Sequence, residues 1–186
     1  ARVWTDAEPA ALEGHRLLVE LLMKRRDLKG AIEHLEAVKR LGGLANFQLF
    51  AIQSEGQDPA TREALLDAFD RLMVDYPDDP QLMFGRAVIL LREGRGAESL
   101  STAERLLERE LTVNTAILKV NALKQLGRTA ELLEYLDGVV GTLAASNPEG
   151  SKRLRMHYAQ QLFEDQRFPE AKGQYEIVLA GSPQDG

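Results

Sequence analysis

The segments LLREGR (residues 90–95) and LKQLGR (residues 123–128) share the pattern Leu-x-x-x-Gly-Arg and begin 33 positions apart. Glycine adopts, without strain, the left-handed backbone conformation that closes a helix, so each copy predicts a tight turn between two helices. Recurrence at a period of about 20–50 residues is typical of repeat proteins, in which every repeat is one supersecondary unit. The sequence therefore predicts a chain of helix pairs.

The clearest repeat lies near the C-terminal end of the sequence. Small, aromatic and aliphatic residues flank the turn Asp165-Gln166-Arg167-Phe168, and the repeat closes at Pro183. In chain order they are Tyr158, Ala159, Leu162, Ala171, Tyr175 and Val178. Their order and spacing resemble the tetratricopeptide repeat, a helix-turn-helix unit of about 34 residues. The resemblance implies an all-α fold, a right-handed superhelical solenoid of about five antiparallel helix pairs.

The other repeats fit this pattern with departures. The first repeat turns at Arg26-Asp27-Leu28 and ends at Gly42-Gly43. The second, the weakest, has the dipeptide Asp58-Pro59, in which Asp suits the N-cap and Pro the first helical position. In the third and fourth repeats, Ser99 and Leu132 stand where the family usually has Ala. We therefore expect slightly wider helix packing at those two positions.

The pattern predicts ten helices, with boundaries uncertain by about two to four residues. They cover about 6–24, 28–41, 44–54, 59–75, 79–93, 96–110, 112–126, 128–145, 148–165 and 168–181. Paired, they form units of about 6–41, 44–75, 79–110, 112–145 and 148–181, which we interpret as a single helical-repeat domain. Because the sequence begins without Met, we expect it to be a fragment of a longer chain.

Composition and charge restrict the partners. Of the 186 residues only 6% are aromatic, and the abundance of Leu, Ala, Glu and Arg is typical of helical proteins. A net charge of −6 disfavours nucleic acid as a partner, since such binding depends on clustered Lys and Arg. Two short basic runs, at 24–26 and 152–155, are interpreted as solvated helix ends, with a binding patch as the alternative. No apolar run is long enough for direct membrane insertion in this segment.

Sequence patterns that would indicate catalysis or metal binding are weak. The sequence contains no Cys, which excludes thiolate catalysis and zinc-thiolate sites. His15, His34 and His157 lie too far apart for a short metal-binding motif, so a metal site would have to be assembled across repeats. Gly94-Arg95-Gly96 follows a predicted helix, whereas a phosphate-binding loop follows a strand. We expect no enzymatic role, no cofactor and no metal.

Candidate binding residues follow from the family resemblance, which implies that the first helix of each pair lines a concave face that holds a partner protein or peptide. The inward positions are Arg16, Glu20, Lys24, Leu49, Gln53, Phe84, Val88, Arg92, Ile117, Asn121, Lys124, Met156, Gln160 and Phe163. Apolar members of this set have core packing between helices as their alternative role. We expect Phe84 to face the groove or the next helix.

Three residues bear on the kind of peptide that the expected concave face would bind. The side chain of Asn121 could bond both the N–H and the C=O of an extended peptide. Gly85 and Ile117 occupy places where a clamp for chaperone C-terminal tails would need polar or basic residues, which disfavours that ligand.

Isolated positive groups lie along the same expected face. Arg16, Lys24, Arg92 and Lys124 are basic positions in a chain that is acidic overall. A groove of that local sign would steer acidic partner segments toward it. The sequence therefore predicts a partner with acidic residues.

The function expected from these observations is that of a protein-interaction scaffold or adaptor. The alternative is a structural self-association module that dimerises through Trp4 or the terminal-helix surface. The style of the repeats is similar to tetratricopeptide proteins of Gram-negative bacteria, many of which are periplasmic lipoproteins or envelope-assembly factors. That resemblance implies a periplasmic or outer-membrane-associated location, with the cytoplasm as the alternative, and an envelope enzyme or assembly factor as the partner.

Overall fold

A computed structural model describes residues 11–180, which form ten α-helices and no β-strand. The helices are α1 (Leu12–Lys24), α2 (Leu28–Arg40), α3 (Phe47–Gln53), α4 (Pro59–Asp75), α5 (Pro80–Arg92), α6 (Gly96–Leu107), α7 (Val113–Gln125), α8 (Thr129–Ser146), α9 (Pro148–Glu164) and α10 (Phe168–Ala180). The chain divides into two compact units between Arg95 and Gly96. Trp4, Pro183 and the predicted ends of the first and last helices, near residues 6 and 181, lie outside the described residues.

The predicted all-α fold is confirmed, and two helices are shorter than expected. Helix α3 begins at Phe47 rather than near residue 44, because the side chain of Asn46 caps it by accepting a hydrogen bond from the Leu49 amide at 2.9 Å. Helix α6 ends at Leu107 rather than near residue 110, where the Arg109 amide bonds the Leu106 carbonyl and tightens the last turn.

Short polar side chains begin most of the other helices. Asp58 accepts a hydrogen bond from the Thr61 amide at 3.0 Å, and Pro59 is the first residue of α4, as the sequence predicts. Asp79 caps α5 and forms an ion pair with Lys39 of α2. These caps satisfy amide groups that have no partner inside a helix, so they set where each helix starts.

The repeated Leu-x-x-x-Gly-Arg pattern has one structural cause. The amide of Arg95 bonds the carbonyl of Leu90 at 2.9 Å, and the amide of Arg128 bonds that of Leu123 at 3.0 Å. In the first turn Gly94 has φ 76°, and in the second Gly127 has φ 67°, both in the left-handed region. Each turn thus closes its helix with a hydrogen bond that reaches back five residues, and glycine supplies the conformation.

Two other turns have the same geometry without glycine. Arg26 after α1 has φ 57°, and Gln166 after α9 has φ 61°. In the second of these turns the Arg167 amide bonds the Leu162 carbonyl at 2.9 Å. A residue with a Cβ is strained in this conformation, so these positions carry a local cost that Gly94 and Gly127 do not.

In the first unit, α1 packs on α2, α2 on α4, and α5 on both α3 and α4. Phe47 and Phe69 are fully buried and meet edge to face, with ring centroids 5.9 Å apart. Gly85 of α5 lies against Phe69, where a Cβ would come within 2.5 Å of the ring. The absence of a side chain at Gly85 therefore lets α5 approach this aromatic core closely.

In the second unit, α7 packs on α6 and α8, and α9 packs on α8 and α10. Leu123, Leu136 and Leu154 are fully buried here. Ala171 of α10 is 2% exposed, which agrees with its place as a small packing residue in the repeat pattern. Ser99 and Leu132, at the positions where the family has Ala, are buried as well.

Within residues 11–180, every helix is either too short or too polar to cross a membrane.

Candidate protein-binding surfaces

A groove of about 540 Å³ lies in the first unit, between α1, α2, α3 and the loop that precedes α3. Its volume is in the range typical of ligand-binding clefts. The residues that line it are Arg16, Val19, Glu20, Met23, Lys24, Leu35, Val38, Leu44, Asn46, Leu49, Phe50 and Gln53. Hereafter this is the first-unit groove.

The floor of the first-unit groove is apolar and its edge exposes large aliphatic side chains. Leu35, Val38 and Phe50 are buried beneath it. At the edge, Leu44 is 92% exposed and Leu49 is 48% exposed. Leucines this exposed beside an apolar cleft lose contact with water when a partner covers them, which favours binding by about 25 cal/mol for each Å² buried.

Charged residues stand along the α1 side of the groove. The Arg16 guanidinium pairs with Glu13 one turn earlier, at 2.8 Å. Glu20 and Lys24 are exposed and form no ion pair with any other residue between 11 and 180. The structure thus brings the predicted residues Arg16, Glu20, Lys24, Leu49 and Gln53 together around one groove. That a partner binds there stays a prediction.

The candidates on α5 have a different environment. Phe84 is 6% exposed, so it offers a partner almost no surface, and Val88 is half-buried against the first-unit core. The Arg92 guanidinium donates hydrogen bonds to the carbonyls of Ala51, at 2.6 Å, and Ile52, at 3.0 Å. It also donates to the buried hydroxyl of Ser54.

Arg92 is therefore a structural cap rather than an open positive group. The carbonyls it binds belong to the last turn of α3, where carbonyls have no amide partner from a following helical turn and a cation is favoured by the helix dipole. Burial lowers the pKa of Arg92 from its ordinary value, the nearby Glu55 opposes this shift, and Arg62 adds to it. Arg92 is thus not the isolated positive group that the sequence predicts, and its contact with a partner stays a prediction.

The candidates on α7 and α9 form part of a surface in the second unit. Asn121, Met156 and Phe163 are exposed, and Ile117 is half-buried. The Lys124 ammonium pairs with the Glu164 carboxylate at 2.8 Å, and Gln160 donates to the same carboxylate at 3.2 Å. Lys124 thus has a counter-ion within the fold, whereas Arg92 is bonded to uncharged oxygens.

Aromatic residues extend this second-unit surface. Phe163 is 59% exposed and meets Phe168 edge to face, with ring centroids 5.3 Å apart. The half-buried His157 lies on α9 between the predicted residues. Its pKa is lowered by burial and by the positive charges of Arg153 and Lys124.

One close pair of histidines, His15 and His34, was not predicted from the sequence. Nδ1 of His15 and Nδ1 of His34 lie 2.9 Å apart, with ring centroids 5.1 Å apart. They stand on α1 and α2, on either side of the same short turn, so antiparallel pairing brings them together. The predicted antiparallel pairing of the first two helices was sufficient to predict that these histidines lie close together. Among the described residues, no cluster of three or more His, Asp or Glu could hold a metal ion.

Comparison with known proteins adds one sequence relative. Over 157 residues the chain is 29% identical to a TPR repeat-containing protein of Pseudomonas aeruginosa. The alignment covers 84% of this chain but only 26% of the relative, so the chain spans about a quarter of that protein's length. No protein-family model matches the sequence.

Solved structures show the same architecture. MamA from Desulfovibrio magneticus RS-1 matches with a TM-score of 0.66 at 13% identity, over 94% of this chain and 97% of that one. MamA from strain AMB-1 matches with a TM-score of 0.58 at 12% identity, over 94% of both chains. The fold is of the tetratricopeptide type. Arrays of this type stack helix pairs into extended surfaces.

Proposed function

We propose that this chain is a protein-interaction scaffold that holds a segment of another protein in the first-unit groove. The observation that carries the proposal is the groove itself, an apolar cleft of about 540 Å³ edged by the exposed Leu44 and Leu49. A few buried anchors supply most of the affinity of such interfaces. The tetratricopeptide-type fold and the relative named for its TPR repeats support a role of this class.

The chemistry of the groove favours holding over catalysis. Its charged groups stand at the edge. Among the lining residues between 11 and 180, Glu20 is one negative group and Lys24 is one positive group, and both are exposed without an ion pair. Acid–base catalysis requires groups that converge on one reacting atom. An apolar floor with separated edge charges provides complementarity to a partner instead.

The test is selection of peptides on the purified chain, followed by binding measurements with variants. Peptides enriched from a random display library are labelled and titrated against wild type, Leu49→Glu and Val74→Glu. Leu49 lines the groove, whereas Val74 is equally aliphatic, 80% exposed and outside the groove lining. We expect Leu49→Glu to weaken binding at least about tenfold, since it places a charge on an apolar contact, and Val74→Glu to leave it unchanged.

Circular dichroism controls for folding, because both substitutions are on exposed positions and should leave the melting temperature almost unaltered. If the enriched peptides bind Leu49→Glu as tightly as wild type, or if the library yields no binder, the proposed function is wrong.

A second candidate function is self-association through α10. Phe168, Ile177 and Leu179 are 52%, 50% and 70% exposed on this helix, and exposed apolar residues of this size favour an interface. Light scattering over a range of protein concentrations tests it. A dimer that is lost in Leu179→Glu but kept in Leu49→Glu would support this candidate, and a monomer at all concentrations would exclude it.

We also propose a periplasmic or outer-membrane-associated location, with an envelope enzyme or assembly factor as partner. The support is the resemblance of the repeats to tetratricopeptide proteins of Gram-negative bacteria. Cell fractionation of the full-length protein tests it, and recovery in the cytoplasmic fraction would contradict it.

A further inference from the structure

The charged row of α1 beside the first-unit groove ends in two opposite charges, Glu20 and Lys24, which have no counter-ion within residues 11–180. Arg16, Glu20 and Lys24 recur every four residues, so they form one row along the helix, next to the row of Val19 and Met23 on the groove floor. Arg16 is already paired within α1. Glu20 and Lys24 form no ion pair within residues 11–180. The row therefore presents a negative charge followed, about one turn later, by a positive charge.

We propose that the occupant of the groove is an amphipathic helix of a partner protein, with a basic residue facing Glu20 and an acidic residue facing Lys24. Its apolar stripe lies on the floor, and the two charges stand about one turn apart along one edge of that stripe. This inference rests on the proposed function, because it assumes that the groove is the binding site.

A helix suits the groove because the walls offer few backbone partners. The amides and carbonyls of α1 are largely bonded within that helix, while at the two ends of α3 the side-chain oxygen of Asn46 accepts from an amide and Arg92 donates to carbonyls. An extended peptide would place its own N–H and C=O groups over the apolar floor, where each unpaired group is costly. A helix satisfies its backbone internally and needs only an apolar stripe to bind.

The spacing of the α1 residues that line the groove also suits a helix as the occupant. Val19 and Met23 are four residues apart and form one ridge of α1. A ridge of this kind packs into the groove between side-chain rows of a second helix that lies alongside. From Arg16 to Lys24 the wall is about 12 Å long, at 1.5 Å per residue, so it contacts a little more than two turns of the partner.

The charge pattern sets orientation more than affinity. Edge ion pairs are individually weak, but a helix that docks in the wrong direction or register would place like charges together. Three of the four positive groups expected along the inner face, Arg16, Arg92 and Lys124, are engaged within the chain. A partner of mixed charge therefore complements the groove better than a purely acidic one.

The experiment uses three designed peptides of about 15 residues, two of them stapled because short isolated helices are marginal in water. The stapled pair share a leucine stripe and differ only in the order of one Lys and one Glu, four residues apart on one edge. The third peptide carries Pro at the centre of the stripe, which breaks the helix. Fluorescence anisotropy gives the Kd of each peptide for wild type, for the double variant Glu20→Lys with Lys24→Glu, and for Leu49→Glu.

We expect wild type to bind one Lys–Glu order about fivefold more tightly than the other, in line with weak edge pairs. The double variant should reverse the preference by a similar factor, since it exchanges the two charges and leaves the floor intact. The Pro peptide should bind at least about tenfold more weakly than the preferred helix.

Four outcomes would overturn the inference: equal affinity for both orders, a preference that the double variant does not reverse, tight binding of the Pro peptide, or no binding of any peptide. If both orders bind equally and Leu49→Glu weakens both, the groove remains the binding site and only the charge register is wrong. If Leu49→Glu changes nothing, the proposed function fails as well. A wild-type dimer that Leu49→Glu dissociates would identify a second copy of the chain as the occupant.

Discussion

The side chain of Tyr135 combines a favourable ring contact with a costly hydroxyl. Its ring lies under the Lys119 ammonium, 4.9 Å from the ring centroid. Its hydroxyl is buried and has no hydrogen-bond partner in the described part of the chain, and burial raises the pKa of Tyr135 to about 12. A buried donor without a partner loses its hydration and gains nothing in return.

Tyr135→Phe should therefore stabilise the protein, by about 1 kcal/mol. The ring and its contact with Lys119 are retained, and only the unpartnered hydroxyl is removed. Differential scanning calorimetry should show a rise in Tm of about 2–4 °C. A fall in Tm would mean that the hydroxyl is bonded, for example to a buried water molecule.

His157 should make stability depend on pH. Its pKa is lowered in the fold, by burial and by Arg153 and Lys124, so the unfolded chain takes up a proton at higher pH than the folded chain does. The unfolded state then binds more protons below its ordinary pKa of about 6.5, and stability falls as the pH decreases through that interval. His157→Gln should lose less stability than wild type between about pH 7 and about pH 5.

Thermal melts at a series of pH values measure this difference. Above about pH 7.5 both states of the chain hold His157 neutral, so the difference in Tm between the two proteins should be constant there. Parallel curves at all pH values would contradict the prediction.

At the scale of helices and turns, the helix-closing turn occurs once with glycine and once without it at the left-handed position, so the two residue types can be exchanged in a pair of matched variants. Gln166 and Gly127 occupy the same left-handed position, with φ 61° and φ 67°. Gln166→Gly should raise stability by about 1 kcal/mol and Gly127→Gln should lower it by a similar amount, since a Cβ is strained in this conformation. Chemical denaturation followed by circular dichroism measures both. Effects of the same sign would show that the turn conformation is not what decides them.

The contact between α9 and α10 depends on small residues. Ala171 is 2% exposed, so Ala171→Glu would bury a carboxylate at a close helix contact. We expect a loss of about 2–4 kcal/mol, seen as a clear fall in the melting temperature by circular dichroism. Lys172→Glu is the control on the neighbouring exposed position, and it should have little effect. An unchanged melting temperature for Ala171→Glu would mean that the repeat register in this pair is wrong.

At the scale of the whole molecule, the ion pairs described here contribute little to stability. Many join two well-exposed side chains, such as Lys124 with Glu164 and Arg167 with Glu170. Exposed pairs are worth about 0–1 kcal/mol each and are screened by salt, while salt also relieves the repulsion from the net charge of −6. The two effects oppose each other.

Raising NaCl from about 0.05 M to about 0.5 M should therefore shift Tm by less than about 3 °C. Calorimetry across that range measures the shift. A much larger fall would show that ion pairs, and not the apolar contacts between helices, hold the fold together.

Interactions within a few residues were predictable from the sequence. The helix-closing turns form hydrogen bonds across five residues, as from Arg95 to Leu90, and the Asp58 cap acts on Thr61. Most helix boundaries, the repeat pattern and the all-α fold follow from such contacts, because the residues that make them are neighbours in the chain, whereas α3 and α6 are shorter than predicted. The repeat resemblance gave Leu49 and Gln53 as inward positions, and the structure places both in the lining of the first-unit groove.

Interactions between distant residues were decided only by the tertiary structure. Arg92 caps α3 from about 40 positions away, His34 meets His15 across the first helix pair, and Gly85 makes room for Phe69. No local pattern specifies these partners, since each depends on how helices pack side by side. Whether a charge is bonded within the fold or left exposed depends on that packing, and this is why the sequence could not distinguish Arg92, which caps α3, from Glu20 and Lys24, which form no ion pair within residues 11–180.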